Sequence, residues 1–105
     1  MPLPETLRDP LAAARSMISR ANNFDLGLQT GNAEAMLTNA RAFVADDIVI
    51  GEAFDEAARR IGGMRQANSL EEARTSALQA IGSLELSLAQ ARPNDMAKAL
   101  GVDWF

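Results

Sequence analysis

Carboxylates concentrate near the middle of the chain, where five fall within eleven residues. They are Asp46, Asp47, Glu52, Asp55 and Glu56, with no basic residue between them. Because Mg²⁺ and Ca²⁺ prefer oxygen ligands, a carboxylate-based divalent-metal enzyme is one hypothesis. The spacing lacks the ligand pattern of an EF-hand loop, and acids at a helix start also stabilise its positive end. We therefore interpret this acidic cluster as a solvated helix start.

The residue types that most often carry catalysis are absent from the sequence, which contains no histidine and no cysteine. The first absence removes the commonest general base and the commonest transition-metal ligand. The second removes thiol nucleophiles, zinc-thiolate sites and disulfides. The pair Gly62-Gly63 has neither the spacing nor the lysine of a phosphate-binding loop. These absences predict a chain that is not an enzyme and that holds no cofactor and no metal.

Basic residues gather around the predicted junction of two helices, at Arg59, Arg60, Arg65 and Arg74. A DNA-recognition surface is one interpretation of such a group. Two acids, Glu71 and Glu72, interrupt it, and the chain carries a net charge of −4, which repels nucleic acid on average. We therefore expect pairs within a helix, Asp55 with Arg59 and Glu56 with Arg60. Nucleic acid is disfavoured as a partner.

The single tryptophan, Trp104, is followed by Phe105 at the end of the printed sequence. Two interpretations stay open: these rings pack on one end of the protein, or they form an exposed anchor that fills a pocket in a partner. Packing is the interpretation we favour. Together with four acids of the cluster described above, the two rings give the candidate partner-binding residues, which are Asp46, Asp47, Asp55, Glu56, Trp104 and Phe105.

The elements that must position these residues are predicted to be helical, because the chain has twenty alanines, no tyrosine and only three valines. Apolar residues recur at three- to four-residue spacing and predict helices near 10–29, 33–45, 48–66 and 70–91. A short C-terminal helix is expected at 95–100. Short connections favour antiparallel neighbours, so the predicted fold is a small all-α antiparallel bundle. Residues 1–105 form one predicted domain, with 1–9 as an extended N-terminal arm.

The boundaries of the first two predicted helices rest on capping residues. Pro10 suits the first turn of a helix, and the apolar stripe runs from Leu11 to Leu28. An early stop near Asn22 is an open alternative. A closing conformation at Gly31 and a cap at Asn32 would then separate the first helix from the second.

Residues 33–66 allow either one long helix or two. The apolar stripe continues through the whole range, but Asp47 would occupy a buried position in it, which is costly. We therefore favour a break near 45–47. Further along, Ser69 and Glu72 have capping-box spacing at the start of the last long helix.

The sequence shows no secretory signal and no apolar run of the roughly 20 residues that span a bilayer. We therefore expect a soluble cytoplasmic protein without membrane contact, and the preference for arginine over lysine suggests a bacterial genome. Elimination of catalytic residues leaves a non-enzymatic acidic protein-interaction module, such as a regulator, inhibitor or chaperone, with homodimerisation open. The alternative is a phage-type or immunity-type antagonist of a basic or nucleic-acid-binding protein, which would use residues 46–56.

Overall fold

The computed structural model describes residues 5–44 and 48–90, and this part of the chain contains four α-helices and no strand. The helices are α1 (Glu5–Arg20), α2 (Leu26–Arg41), α3 (Ile48–Gly63) and α4 (Leu70–Gln90), and a 3-10 turn at Met64–Gln66 follows α3. The all-α prediction is confirmed. Helix α1 packs against α2 and α4, and α3 packs against the same two helices. None of the described helices combines the length and apolarity needed to cross a membrane.

One buried apolar cluster is shared by all four helices. In α4 its members lie at the predicted spacing, and Ile81, Leu84 and Leu88 are fully buried. In α3 the predicted stripe is buried from Ile50 through Phe54. Each large aliphatic side chain removed from water contributes about 1.5–3 kcal/mol, so this cluster is the main source of stability.

Helix α1 begins earlier and ends earlier than the predicted range 10–29. It starts at Glu5, so residues 5–9 are helical and not an extended arm, while residues 1–4 lie outside the described part. The buried Leu7 lies one turn before the buried Leu11 and extends the apolar stripe towards the start of the chain. Pro10 lies inside the helix. The anchoring of the first turn by Leu7 explains why the helix starts ahead of the proline.

The α1–α2 connection, residues 21–25, is built by side chains that bond to the backbone. Asn22 Oδ1 accepts hydrogen bonds from the amides of Phe24 (2.8 Å) and Asp25 (3.1 Å). In return, Asp25 Oδ1 accepts one from the amide of Asn22 (2.8 Å). Helix α2 therefore begins at Leu26 and not at 33. Gly31, expected to close the first helix, lies inside α2, and so does Asn32, expected to cap the second.

The α2–α3 connection confirms a break in the range 33–66, because α2 ends at Arg41 and α3 begins at Ile48. Backbone bonds alone form its described part: the amide of Phe43 donates to Ala40 O (3.2 Å) and that of Val44 to Arg41 O (2.9 Å). Residues 45–47 lie outside the described part, so the capping role expected of an aspartate there stays a prediction.

The second half of the chain follows the predicted boundaries closely. Helix α3 with its 3-10 turn covers 48–66, and α4 covers 70–90 of the predicted 70–91. Ser69 Oγ accepts a hydrogen bond from the amide of Glu72 (3.3 Å), which is one half of the predicted capping box. The expected short helix at 95–100 lies outside the described residues.

Candidate functional site

The described members of the acidic cluster are largely engaged by arginines of the same chain. Asp55 forms an ion pair with Arg41 at the end of α2, instead of the expected pair with Arg59. Glu56 pairs with Arg60 (2.7 Å), as expected, and also with Arg59. Glu52 is exposed and makes no ion pair within residues 5–44 and 48–90. Asp46 and Asp47 lie outside the described residues.

No group of three acidic side chains that could hold a metal ion occurs in the described part of the chain. The four arginines of the basic group also have partners in this chain. Arg59 and Arg60 pair with Glu56 on their own helix. Arg65 Nη1 donates to the buried Thr30 hydroxyl (3.1 Å), and Arg65 Nη2 lies 2.9 Å from a carboxylate oxygen of Glu34.

Arg74 makes the most consequential of these contacts, because it completes another helix. Its Nε donates to Ile18 O (3.2 Å) and one of its terminal nitrogens donates to Ala21 O. It also pairs with Glu71, and only 18% of its side chain is exposed. A helix end leaves carbonyls without partners inside the helix, so this guanidinium satisfies the end of α1.

Large apolar side chains face solvent at and beside the two connections. Phe24 is 100% exposed and Leu28 65% exposed, although the sequence placed both on the core stripe of the first helix. Ile48 and Val49 are 77% and 71% exposed at the start of α3, and Phe43 is 43% exposed. We call Phe43, Ile48 and Val49 the α2–α3 corner. Trp104 and Phe105 lie outside the described residues.

None of the exposed residues of α2 is charged, and the two charged residues of this helix, Glu34 and Arg41, are half-buried and form ion pairs. The exposed residues are Gly27, Leu28, Gly31, Asn32, Ala35, Thr38 and Asn39, which we call the α2 strip. Every other described helix has charges among its exposed residues, as at Arg8 in α1, Glu52 in α3 and Glu71 in α4. Depletion of charge is the compositional mark of the centre of protein interfaces. The strip therefore differs from the rest of the described surface in the way that interfaces do.

Two glycines of the α2 strip have no steric reason to be glycine. A Cβ added at Gly27 or Gly31 would meet nothing within 4 Å. At Gly51, by contrast, it would lie 3.2 Å from Arg41 Nη2. A glycine in a helix interior costs about 1 kcal/mol relative to alanine. At Gly31, no close contact within the described residues requires a glycine and so accounts for this cost.

Reciprocal hydrogen bonds between Asn22 and Asp25 hold the backbone around Phe24 in place. The same bonds affect titration: the Asn22 amide, and then the Gln29 side chain, hold the pKa of Asp25 below its ordinary value. Gln29 Nε2 donates to Asp25 Oδ2 (3.2 Å) and fastens the connection to the second turn of α2. The result is a pre-organised loop with a fully exposed ring beside an uncharged helix face.

Within residues 5–44 and 48–90, helix α4 carries a shallow, open depression. It is lined by Glu71, Glu72, Thr75, Ser76 and Gln79. It has no enclosed apolar interior, and so it lacks the character of a small-molecule pocket.

Sequence reasoning missed the α2 strip because its recognition requires knowing which side of α2 is buried. A signal was available in the run from Gly27 to Ala42, where the only charges are Glu34 and Arg41. In comparisons with known proteins, no family model, no curated protein and no solved structure matches this chain.

Proposed function

We propose that this chain is a non-enzymatic acidic helical module that binds another protein through the α2 strip and Phe24. The single observation that carries the proposal is the absence of charge among the exposed residues of α2, beside the fully exposed Phe24 in the preceding connection. A large aromatic side chain that fills a partner's pocket commonly dominates the binding energy. Because the loop under Phe24 is hydrogen-bonded in place, little ordering entropy is lost when it docks.

The chemistry of the α2 strip indicates the kind of partner that would fit. Gly27, Gly31 and Ala35 recur at four-residue spacing on one side of the helix and allow another backbone to approach closely. An uncharged apolar helix of the partner would pack along them and receive Phe24 and Leu28 at one end. A charged helix would lose its hydration there without gaining an opposite charge in return.

The proposed fold that supports this surface is an antiparallel bundle. Arg74, near the start of α4, bonds to Ile18 O near the end of α1. Glu85, further along α4, pairs with Arg15, which comes earlier in α1. These two contacts favour opposite directions for α1 and α4. The proposal includes the short C-terminal helix at 95–100.

Antagonism of a basic or nucleic-acid-binding protein through residues 46–56 is the less favoured function. Ion pairs with Arg41, Arg59 and Arg60 already use Asp55 and Glu56. A basic partner would have to displace these arginines before binding the carboxylates. The α2 strip requires no such exchange.

Capture of binding partners from an extract of the source cells tests the proposed function. The test variant is Gly31→Gln, which adds bulk to the strip without adding charge. Because space beside Gly31 is open, this substitution is expected to keep the fold and to raise helix stability by up to about 1 kcal/mol. The matched control is Ser83→Gln on the exposed side of α4.

The expected result is a protein retained by the wild type and by Ser83→Gln and reduced at least tenfold with Gly31→Gln. Gly31→Ala should keep more of the captured protein, because a methyl group separates the backbones less. Equal capture by all four baits would refute binding through the strip. If the wild type is a dimer by light scattering and Gly31→Gln is a monomer, the partner is a second copy of the chain.

A further inference from the structure

Both ends of α2 carry exposed aromatic side chains. Phe24 lies two residues before the helix and is 100% exposed. Phe43 lies two residues after it and is 43% exposed, and Ile48 and Val49 complete the exposed apolar surface of the α2–α3 corner. The uncharged α2 strip joins these two ends. A single surface therefore runs along α2 from one exposed phenylalanine to the other.

The exposed positions along this surface are symmetric about the middle of α2. Steps of four and three residues alternate from Phe24 to Ala42 and keep the positions on one side of the helix. All six positions are exposed and uncharged: 24, 28, 31, 35, 38 and 42. If two such helices lie antiparallel about a point near residue 33, position 24 meets 42, 28 meets 38, and 31 meets 35. An interface between two identical chains related by a two-fold axis requires this self-complementarity.

The antiparallel alignment would cover the exposed rings at both ends of α2. Phe24 of one copy would lie against Ala42 of the other, next to Phe43 and the rest of the corner. In the middle, Gly31 would lie against Ala35, and their small side chains would let the two backbones approach closely. A parallel alignment would instead bring the two Phe24 rings together and leave both corners open to water.

Charge also favours a second copy at this surface. The chain carries a net charge of −4, so two copies repel one another on average. The contact must therefore use a surface that adds no like charges, and α2 is the described helix whose exposed residues are all uncharged. Its two charged residues, Glu34 and Arg41, have opposite signs and are paired with Arg65 and Asp55 of the same chain. Antiparallel helices also oppose their dipoles favourably.

We propose that two copies of this chain form a dimer through antiparallel α2 strips, with Phe24 of each copy seated on the α2–α3 corner of the other. This inference rests on the proposed function, since it names the partner of the same strip. It extends the contact to Phe43, Ile48 and Val49. Both exposed apolar surfaces described above are covered in one symmetric interface.

Light scattering over a dilution series tests the dimer. The wild type is expected to have twice the mass of a single chain at high concentration. Gly31→Gln in the middle, Phe24→Ser at one end and the double variant Ile48→Ser, Val49→Ser at the other should each raise the dissociation constant at least about tenfold. The matched control is Leu86→Ser, at an apolar position of α4 that is 58% exposed, and it should leave the constant unchanged. Circular dichroism should show unchanged helix content in all variants.

Disulfide formation tests the direction of the two helices, and it is specific because the chain has no cysteine of its own. Equal amounts of Leu28→Cys and Thr38→Cys chains are mixed and oxidised. The antiparallel dimer should give the mixed disulfide between 28 and 38. Its two 28 positions lie ten residues apart along the helices, about 15 Å, which is beyond the reach of a disulfide. Ser83→Cys on α4 is the control and should crosslink with neither chain.

Three outcomes would overturn the dimer. The first is a wild type that is monomeric throughout the series; if it still captures a different protein that Gly31→Gln loses, the proposed function stands without the dimer. The second is a dimer whose dissociation constant neither Gly31→Gln nor Phe24→Ser changes, which would place the contact on another surface. The third is a product made of 28–28 and 38–38 disulfides, which would exclude the antiparallel direction. Failure of the proposed function is seen separately, as equal capture by all four baits.

Discussion

The two connections that flank α2 both expose large apolar side chains, but they are held by different means. At the α1–α2 connection, the side chains of Asn22 and Asp25 bond to the backbone and fix the loop under Phe24. At the α2–α3 corner, the amides of Phe43 and Val44 bond to backbone carbonyls, and buried neighbours such as Ile50 supply the support. Exposure alone does not distinguish these surfaces, whereas the interactions beneath them do.

This difference indicates how each surface responds to substitution. The first connection depends on a few polar groups that can be removed one at a time. The corner depends on apolar packing, so the side chains that face solvent are separable from those that hold the fold. Four predictions test this difference, in order from the largest expected effect on stability to the smallest.

The base of the corner should give the largest loss of stability. Ile50→Ala is expected to lower the free energy of unfolding by about 2–5 kcal/mol, because Ile50 is buried and its removal leaves a cavity. Leu28→Ala, at a position that is 65% exposed, should change it by about 0.5 kcal/mol or less. Urea unfolding followed by circular dichroism measures both values. Similar losses for the two variants would contradict the burial pattern described above.

Removal of Arg74, which bridges α4 to the end of α1, should give the second-largest loss of stability. Arg74→Ala is expected to cost about 1.5–3 kcal/mol, because Ile18 O and Ala21 O lose a charged donor at a mostly buried position. Arg59→Ala, whose side chain is 76% exposed and pairs only within α3, should cost less than about 1 kcal/mol. A smaller loss for Arg74→Ala than for Arg59→Ala in urea unfolding would exclude the bridging role.

The polar support of Phe24 should give a smaller effect on stability. Asn22→Ala is expected to cost about 1 kcal/mol, because the amides of Phe24 and Asp25 lose their acceptor. Asn23→Ala is the control at the adjacent exposed position and should be near neutral. Partner capture that falls for Asn22→Ala but not for Asn23→Ala would show that the loop also positions Phe24 for binding. Equal thermal unfolding of the two variants would show that the loop does not depend on Asn22.

The charge of Asp25 should give the smallest effect, and that effect should depend on pH. Because the Asn22 amide first, and then Gln29, lower the pKa of Asp25 in the folded chain, the ionised carboxylate favours folding. Its contribution is present above the unfolded pKa of about 4 and is lost as pH falls through the lower folded pKa. The stability difference between wild type and Asp25→Asn should therefore be constant near neutral pH and shrink below about pH 4. A difference that does not change between neutral and acidic urea titrations would rule out this origin.

The second half of the fold could be predicted from sequence because its signals agree with one another. In α4, the Ser69–Glu72 cap and the apolar spacing through Leu88 both indicate the observed helix. The same reasoning separated α2 from α3, because an aspartate at 47 does not suit a buried stripe. Local preference and tertiary packing point to one answer in this region.

The first half could not be placed correctly because two signals conflict. The apolar spacing continues from Ile18 through Phe24 and Leu28, yet the hydrogen bonds of Asn22 end the helix before Phe24. Gly31 resembles a helix end in sequence but is tolerated inside α2 because packing on the other side of that helix outweighs its cost. The α2 strip could not be predicted either, because it is recognisable only once the buried side of α2 is known.

The bond between Arg74 and the end of α1 has a consequence for how the chain acquires its structure. The carbonyl of Ile18 in α1 and that of Ala21, which directly follows α1, accept hydrogen bonds from a residue 56 and 53 positions further along the chain. A folding intermediate made of α1 and α2 alone would keep the bond from the Ala21 amide to Ile18 O (3.4 Å) but would lack both arginine bonds, so the end of the first helix is completed only when the last helix docks. During synthesis on the ribosome, folding of the N-terminal half is therefore expected to await emergence of the C-terminal half, and the chain gains its stability in one cooperative step.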